Sequence, residues 1–458
     1  MKPSLLLLSG MMVWTSMHAQ PRHWKNKVWY VPPVAETQRL EGEDYLIFET
    51  KLRADELRLL DDGTLVVRRD KWLEVYDASL QKTGEWDMQK RGITHGFRIL
   101  AVSNRPKSVI LGVPLRDKKQ YELVRLSLPD MKTEVMLRLT GDDFPGMAPN
   151  ARVRRLMEKD KSFSADFRGL VYMSGDFRNG FVRGDTLYVW HAPDYGQTFG
   201  RLYAVPLRSP RLILLRDRFD RLFGHDRRSM VYSILTNDDA SDISRFVIIR
   251  HGKSETRSAA LEPQRISFYR AGKLFTAPAH TIKIYDLPGG KTQTIRFPGD
   301  HGFLLAVSTS GNRLFGSFHK DGKIRLGIYD LRTGKWTVPD ILLDEEAPKT
   351  ATTYDGEYFV LSSREKLITG YLNDYSRPLL SLHAADTVYA AQTEVRPFGR
   401  DRAFVSGLKE IRLDGKTVKP GINVSISLHR GENILYLEAR DRAGNKAFLK
   451  RKVWFLKN

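Results

Sequence analysis

The sequence predicts an all-β chain, a ring of repeated four-stranded units followed by a small two-sheet sandwich. Within residues 265–343 one pattern runs twice in succession, first as RISFYRAGKLFTAPAHTIKIYDLPGGKTQTIRF and then as FLLAVSTSGNRLFGSFHKDGKIRLGIYDLRTGKWTVPDILL. Each copy is a set of short apolar strands around a Gly-centred turn, with one strand ending in Tyr-Asp. The two Tyr-Asp pairs, at Tyr285 and Tyr329, lie 329 − 285 = 44 residues apart, within the period of about 40 to 50 residues that a four-stranded unit occupies. One such unit leaves both faces of its sheet open to water, so the repeat demands neighbours on either side. Near residue 395 the period and the charge change together, which marks the second architecture.

Residues 1–19 carry one positive charge at Lys2, an apolar run over 5–14 and a small residue at Ala19, the layout of a secretory signal peptide. That run is shorter than the roughly 20 residues needed to span a bilayer as a helix, and no other stretch is long enough. The ring segment is expected over residues 20–390. It opens with a basic, aromatic lead containing Trp24, Trp29, Tyr30 and Pro32-Pro33, in which residues 27–31 are expected to form a strand that closes the ring on the last unit. Residues 56–86 then read as strand, Asp-Asp-Gly turn, strand, Tyr-Asp strand at 73–77 and a fourth short strand, since Asp-Gly between apolar runs marks a hairpin.

From Tyr76 to Tyr285 there are 285 − 76 = 209 residues, close to five periods. Units are expected near 97–139, 169–215 and 229–261, with third strands at 121–126, 201–205 and 245–249. The duplicated pair follows, and a last unit runs over 350–382 with its third strand at 367–372. The count is seven, with six or eight compatible with these boundaries. The arrangement resembles β-propellers over about residues 45–382. No named subfamily follows, because Trp86-Asp87 and Gly224-His225 occur once each and do not recur at the period.

Two insertions break the period. Residues 141–167 contain NARVRRLMEKDKSF, expected as a short helix presenting Arg152, Arg154, Arg155, Lys159 and Lys161 outside the sheets. Residues 206–228 contain RLILLRDRFDRLFGHDRR, expected as a connection between units. Long connections on a rigid scaffold are where binding concentrates.

The C-terminal segment, 391–458, carries Ser406-Gly407-Leu408, Leu413-Asp-Gly-Lys416, Gly431-Glu-Asn433 and Asp441-Arg-Ala-Gly-Asn445, and it resembles bacterial immunoglobulin-like sandwich domains. The resemblance implies an independently folding spacer or binding module and brings no catalytic residues. In a strand from Ile434, the side chains of Leu435, Leu437 and Ala439 share one apolar face. Asp441 with Gly444-Asn445 supplies turn chemistry.

Composition bounds the chemistry. At 458 residues with 41% hydrophobic and 10% aromatic content, the chain has material for a large core and is not a disordered sequence. The absence of cysteine excludes disulfides, thiolate metal sites, a cysteine nucleophile and lipid attachment at an N-terminal Cys. Lys and Arg exceed Asp and Glu by 74 − 54 = 20, a surplus that attracts polyanions or simply keeps a basic surface soluble. Lys446, Lys450 and Lys452 concentrate near the end, in a strand where Lys450 and Lys452 share a face. They suit a polyanion site and an edge strand defended by Lys equally well.

Catalytic signatures do not rise above this background. Residues 237–242 cluster oxygen ligands but lack the Gly and the terminal Glu of a calcium loop, where Ile248 stands instead. His191, His225, His251, His280, His301 and His319 are scattered, with no HExxH and no i, i+4 pair. There is no G-x-S-x-G elbow and no P-loop. Gly289-Gly290-Lys291 is a hairpin turn, and Asp142-Asp143 and Glu345-Glu346 read as solvated loop carboxylates.

No cofactor or metal is indicated. The functional expectation is an exported, secreted or periplasmic, non-enzymatic recognition or scaffold protein. Its partners would be a protein or an acidic glycan at the cell envelope, with nucleic acid disfavoured by export. The alternative is a propeller hydrolase or lyase acting on acidic polysaccharide. A mature chain beginning at Gln20 is expected, to be read by mass spectrometry of exported material; a cytosolic product retaining Met1 would overturn the localisation.

Overall fold

The structure, a computed structural model, describes residues 22–24, 28–91, 93, 96–115, 120–140, 143, 155, 158–159, 176–192, 200–226, 229–234, 245–250, 253–257, 267–277, 280–287, 289–401 and 406–456. Almost all of these lie in antiparallel sheets or the turns between them. Sheet A comprises Glu56–Leu59, Leu65–Arg69, Trp72–Tyr76 and Lys82–Asp87, and sheet B comprises Arg98–Asn104, Lys107–Leu115, Gln120–Ser127 and Thr133–Leu139. Sheet D holds Ser267–Arg270, Lys273–Thr276, Thr281–Asp286 and Thr292–Arg296; sheet E holds Gly302–Val307, Arg313–Lys320, Lys323–Asp330 and Lys335–Thr337. Each is a four-stranded meander in sequence order.

Local chemistry sets these turns. Asp321 and Gly322 have φ of 52° and 68° between Arg313–Lys320 and Lys323–Asp330, the doubly left-handed pair that a two-residue hairpin requires and that Asp-Gly accepts readily. At Asp62 the carboxylate accepts the Thr64 amide at 3.2 Å, which holds the turn into the second strand of sheet A.

Sheet C departs from the expected period. Asp176–Arg183, Thr186–Ala192, Gly200–Pro206, Ile213–His225, Ser229–Ile234, Arg245–Arg250 and Lys253–Arg257 form one sheet of seven strands. Residues 206–228, expected as a connection, instead contain the thirteen-residue strand Ile213–His225. Its first half pairs with Gly200–Pro206 and its second half with Ser229–Ile234. The reason is packing: Phe219 and Phe223 are buried, so the segment has core to cover on both halves and continues as strand. The expected third strands 121–126, 201–205, 245–249 and 367–372 fall within strands of the structure, and that at 73–77 overlaps Trp72–Tyr76.

The last sheet, F, is assembled from both ends of the ring segment. Lys349–Thr352, Tyr358–Ser362 and Leu367–Leu372 are followed by Tyr45–Thr50 and then Thr37–Glu41. The closing strand is therefore Tyr45–Thr50 and not residues 27–31; Val28–Tyr30 pairs instead with Arg22–Trp24. Tyr45–Thr50 has the side chains for the inner position, because Leu46, Ile47 and Phe48 are all buried. The Val28–Tyr30 hairpin lies on top of that closure, with Tyr30 against Phe48 and Tyr371 at ring centroid distances of 6.2 and 5.9 Å. The Tyr371 hydroxyl donates to the Val31 carbonyl at 2.9 Å.

Around the assembly, Glu56–Leu59 meets Arg98–Asn104, which meets Asp176–Arg183; sheet C carries the chain on to Ile213–His225, which meets Ser267–Arg270, then Gly302–Val307, Lys349–Thr352 and Glu56–Leu59 again. Apolar side chains fill the spaces between consecutive sheets, for example Leu73, Trp86, Ile99 and Leu111 between A and B and Phe315, Ile328, Phe359 and Ile368 between E and F. The result is a closed, propeller-like ring.

Beyond the ring, Leu379–His383, Gln392–Arg400 and Val424–Ser427 form one sheet, and Thr387–Val388, Lys446–Phe455, Gly431–Asp441, Leu408–Leu413 and Lys416–Thr417 another. Leu382 and Val395 from the first pack with Ile411, Leu437, Ala439 and Val453 from the second. These sheets begin at Leu379, ahead of residue 391 and inside the segment expected to end the last ring unit, because Leu379–His383 pairs with Gln392–Arg400 rather than with sheet F. The Asp441 carboxylate accepts the Asn445 amide at 2.7 Å and its side-chain Nδ2 at 2.9 Å, and Gly444 takes φ of 96°, as that turn was expected to require.

The strand closure is testable. Phe48, 4% exposed, lies between Tyr30 and Tyr371, and Phe48→Ala should cost about 3 to 5 kcal/mol, the usual range for emptying an aromatic core position. Urea denaturation reads it, and a loss below about 1 kcal/mol would mean that this strand does not hold the ring shut. A second test concerns Glu357, which is fully buried in the turn of sheet F. Burial, with the charges of Asp374 and Asp355 nearby, pushes its carboxyl up to about 8. The folded chain thus holds a proton that the unfolded chain releases near pH 4.5. Stability should fall between those two pH values as pH rises, by about 1.4 kcal/mol per unit. Glu357→Gln should flatten that dependence, and an unchanged slope would exclude Glu357 as its source.

Candidate functional site

The direction of the first strands divides the ring into two mouths. Glu56, Arg98 and Lys349 each open a first strand, so they meet at one mouth. The Glu56 carboxylate accepts the Ile99 amide at 3.0 Å, and Lys349 Nζ donates to the Ala54 carbonyl at 3.4 Å. The hairpin turns lie at the opposite mouth, where the Asn104 side chain accepts the Asp61 amide at 2.9 Å and the Ser310 amide donates to the Tyr354 carbonyl at 2.8 Å.

The strand-start mouth contains a cavity of about 500 Å³ lined by Asp55, Glu56, Leu57, Arg58, Arg68, Arg98, Ile99, Trp190, Lys349 and Thr350. Its charged lining is four cations against two carboxylates. Both carboxylates are engaged in holding the wall. Glu56 takes Arg68 Nε at 3.0 Å as well as the Ile99 amide. Asp55 accepts the Asp70 amide at 2.6 Å and faces Arg53 at 3.3 Å; burial opposes ionisation there, but the Asp70 amide and the two arginines hold its carboxyl below the usual range. Arg58 is spread across the seam between sheets A and B, donating to the Leu57 and Ile99 carbonyls at 2.9 and 3.1 Å. Its burial lowers its pKa, against the pull of Glu56. The arrangement presents net positive charge in a concave, partly aromatic wall, which is chemistry for an anionic ligand.

At the same mouth, two units away around the ring, His301 immediately precedes Gly302–Val307, and Glu346 lies in the connection that leads to Lys349–Thr352. His319 Nε2 is 2.9 Å and His301 Nε2 4.0 Å from Glu346 Oε1. The imidazoles stack with centroids 4.0 Å apart and planes inclined by 20°. The sequence showed only scattered histidines; what brings these two together is the hairpin register, which pairs Gly302 with Phe318 after a shift between Leu304 and Ala306. Other histidines are accounted for otherwise. His191 is buried. His225 stacks on Phe181 at 3.6 Å, and burial with Arg270 and Arg183 nearby pulls its pKa down to about 3. His251 lies outside the described residues.

At the turn mouth charge serves cohesion. The Asp355 carboxylate accepts Ser310 Oγ at 2.5 Å, Asn312 Nδ2 at 2.9 Å and Arg332 Nη1 at 2.6 Å, tying sheet E to sheet F. Arg332 also pairs with Asp330 at 2.7 Å and lies 4.7 Å over the Tyr375 ring. Asp374 next to it accepts the Ser376 amide at 2.7 Å and the Ser406 hydroxyl, while its backbone carbonyl accepts Asn445 Nδ2 at 3.2 Å.

Of the basic residues expected as a polyanion site, Arg155 and Lys159 are exposed and have helical backbone. Arg152, Arg154 and Lys161 lie outside the described residues, as does the 237–242 cluster. Lys446, Lys450 and Lys452 share the outer face of Lys446–Phe455. Lys446 meets Glu438 at 3.3 Å, Lys452 meets Glu432 at 3.1 Å, and Lys450 lies 5.2 Å over the Tyr436 ring. Among the described residues, that strand is paired on one side by Gly431–Asp441 and on the other with Thr387–Val388 at Trp454 and Phe455. Among the described residues no helix is long and apolar enough to cross a membrane.

No protein-family model matches the chain, and neither does any curated protein. Among solved structures, the chain is similar to an oligogalacturonate lyase in complex with manganese, at 10% identity and a TM-score of 0.48, covering 75% of this chain and 97% of that one. It is also similar to a streptogramin B lyase, at 12% identity and a TM-score of 0.44, covering 72% of this chain and 98% of that one. These likenesses bring no activity to this chain.

Proposed function

We propose that the protein is an exported recognition or scaffold module whose ring binds an acidic polymer at the strand-start mouth, at the cell envelope or outside it. The observation that carries this reading is the cavity whose lining sets Arg58, Arg68, Arg98 and Lys349 against two carboxylates, one of which is paired with Arg68. Export rests on the sequence of residues 1–19. The ring is read as seven units, with Ile213–His225 serving as the last strand of one and the first of the next. Seven apolar clusters between neighbouring units support that count. The C-terminal sheets are read as an immunoglobulin-like sandwich, supported by their shared core and by the Asp441 turn. A second reading is a hydrolase or lyase acting on acidic polysaccharide. It draws on His301, His319 and Glu346, which place acid–base groups at the same mouth.

Binding by ion pairing predicts affinity that falls with salt, as on nucleic acid, where the slope follows the number of phosphates neutralised. The mature protein should be titrated with a polyuronate, a sulfated polymer and neutral dextran at several salt concentrations. Arg98→Ala and Lys349→Ala should each weaken polyuronate binding about tenfold, the scale of one charge-assisted hydrogen bond, and reduce the salt slope. Two control variants accompany them, the Arg152, Arg154 and Arg155 triple change to Ala and the Lys446, Lys450 and Lys452 triple change to Ala. Wild-type affinity in both mouth variants, with loss in either control, would move the site away from the ring. Equal binding of both acidic polymers by every variant would reduce the charge surplus to a solubility feature.

A further inference from the structure

We propose that His301, His319 and Glu346 form a three-ligand site for a divalent transition ion, Zn²⁺ by their chemistry, on the rim of the strand-start mouth. The two histidines face each other across the hairpin of sheet E, where directly opposed residues project from the same face with Cβ atoms about 5 Å apart. The backbone holds them together just beyond the last ladder pair, Gly302 with Phe318: the His319 amide donates to the His301 carbonyl at 2.9 Å, and the Asp300 amide, one residue earlier, to the His319 carbonyl at 2.9 Å. The third group is delivered by a separate connection, which Ser317 anchors by donating its hydroxyl to the Glu346 carbonyl.

The spacing matches a metal site. Ligands held about 2.0 to 2.1 Å from a tetrahedral ion stand roughly 3.4 Å from one another. Glu346 Oε1 lies 2.9 Å from one imidazole nitrogen and 4.0 Å from the other, and the ligand atoms of all three residues fall within 4.8 Å of one another. Coordination uses neutral imidazoles, so the two rings stacked 4.0 Å apart with one carboxylate offer a divalent ion a ligand set of net charge −1. Two imidazoles with one carboxylate suit zinc and its neighbours better than calcium or magnesium, which prefer oxygen alone. The His301 and Glu346 side chains are each 45% exposed and that of His319 is 24% exposed. A bound ion would therefore keep a position open to solvent, the geometry of zinc sites that take an exchangeable water or ligand. This site is independent of polymer binding, and its test uses the metal alone.

Metal-free, untagged mature protein should be titrated with Zn²⁺ against a chromophoric chelator, with Ca²⁺ as the comparison ion. One Zn²⁺ per chain is expected, with Ca²⁺ at least a hundredfold weaker. His301→Ala and His319→Ala should each lower Zn²⁺ affinity at least tenfold, and Glu346→Gln should lower it less. The melting temperature of the wild type should rise with Zn²⁺ and that of either histidine variant should not, which separates loss of the site from loss of the fold when the metal-free melting temperatures agree. If either variant melts early without metal, His319→Gln replaces it as the readout, with the same tenfold loss expected. The absence of saturable Zn²⁺ binding, affinity unchanged in the histidine variants, or Ca²⁺ binding as tight as Zn²⁺ would overturn the site.

Discussion

Pairing of Tyr45–Thr50 with Leu367–Leu372 is the constraint on which the ring depends, because a series of sheets packed face to face has two bare ends until something joins them. Lys366 Nζ reaches Glu49 at 3.4 Å across 317 residues of sequence, and the Tyr371 hydroxyl reaches Val31 across 340. The chain entropy of closing so long a loop grows only logarithmically with length, so the cost is modest beside the apolar surface covered. Leu46, Phe48, Tyr358, Val360 and Tyr371 pack with Leu57, Leu65 and Val67 of sheet A in a single cluster. Without the N-terminal strand, sheet F would lose its pairing partner and the Leu46 and Phe48 side chains of that cluster together. The ring is therefore cooperative in a way that an open repeat array is not.

Closure also explains where charge collects. Once the first strands are locked side by side, every residue that opens one of them is brought to a single rim, whatever its position in the sequence. Glu56, Arg98, Lys349 and His301 are neighbours of that kind. The turns between first and second strands are gathered at the other rim in the same way, and there the polar groups are consumed internally: Asp355 alone binds Ser310, Asn312 and Arg332. One rim is thus cross-linked and the other keeps cations in excess, a division that follows from strand direction and needs no long insertion to create it.

Legibility followed the range of the interactions. The third strands were readable because Tyr-Asp and the Gly turns recur at a fixed spacing, and Asp321-Gly322 adopts the hairpin its residues favour. The closing strand was not readable, since Val28–Tyr30 and Tyr45–Thr50 are both short apolar strands and only a pairing more than 300 residues away distinguishes them. Ile213–His225 was obscured by its arginines and aspartates. Those side chains are tolerated in a strand whose Phe219 and Phe223 are buried and whose Leu215 and Leu222 pack on the same core as Phe219. The His301 and His319 pair was hidden by 17 intervening residues and became visible only through the register of their hairpin. The C-terminal apolar face was legible residue by residue, and Leu435, Leu437 and Ala439 are all buried, but Leu379–His383 joined those sheets through a pairing that no local pattern announced.

The junction between ring and C-terminal sheets shows the same logic at higher electrostatic cost. Asp374 and Asp441 are buried at 4% and 0% exposure, and carboxylate oxygens of Asp374, Asp401 and Asp441 lie within 4.8 Å of one another. Burial raises the pKa of both Asp374 and Asp441, against the hydrogen bonds that favour their charged forms. The donors come from both sides of the junction: Ser376 follows the ring, while Ser406 and Asn445 belong to the C-terminal segment. Pulling the two apart would strip Asp374 of the Ser406 bond and leave a partly desolvated carboxylate without one of its compensations, a penalty that buried acids incur whenever one partner is removed. The C-terminal sheets are thereby coupled to the turn mouth through shared donors, whereas the basic cavity lies at the opposite mouth.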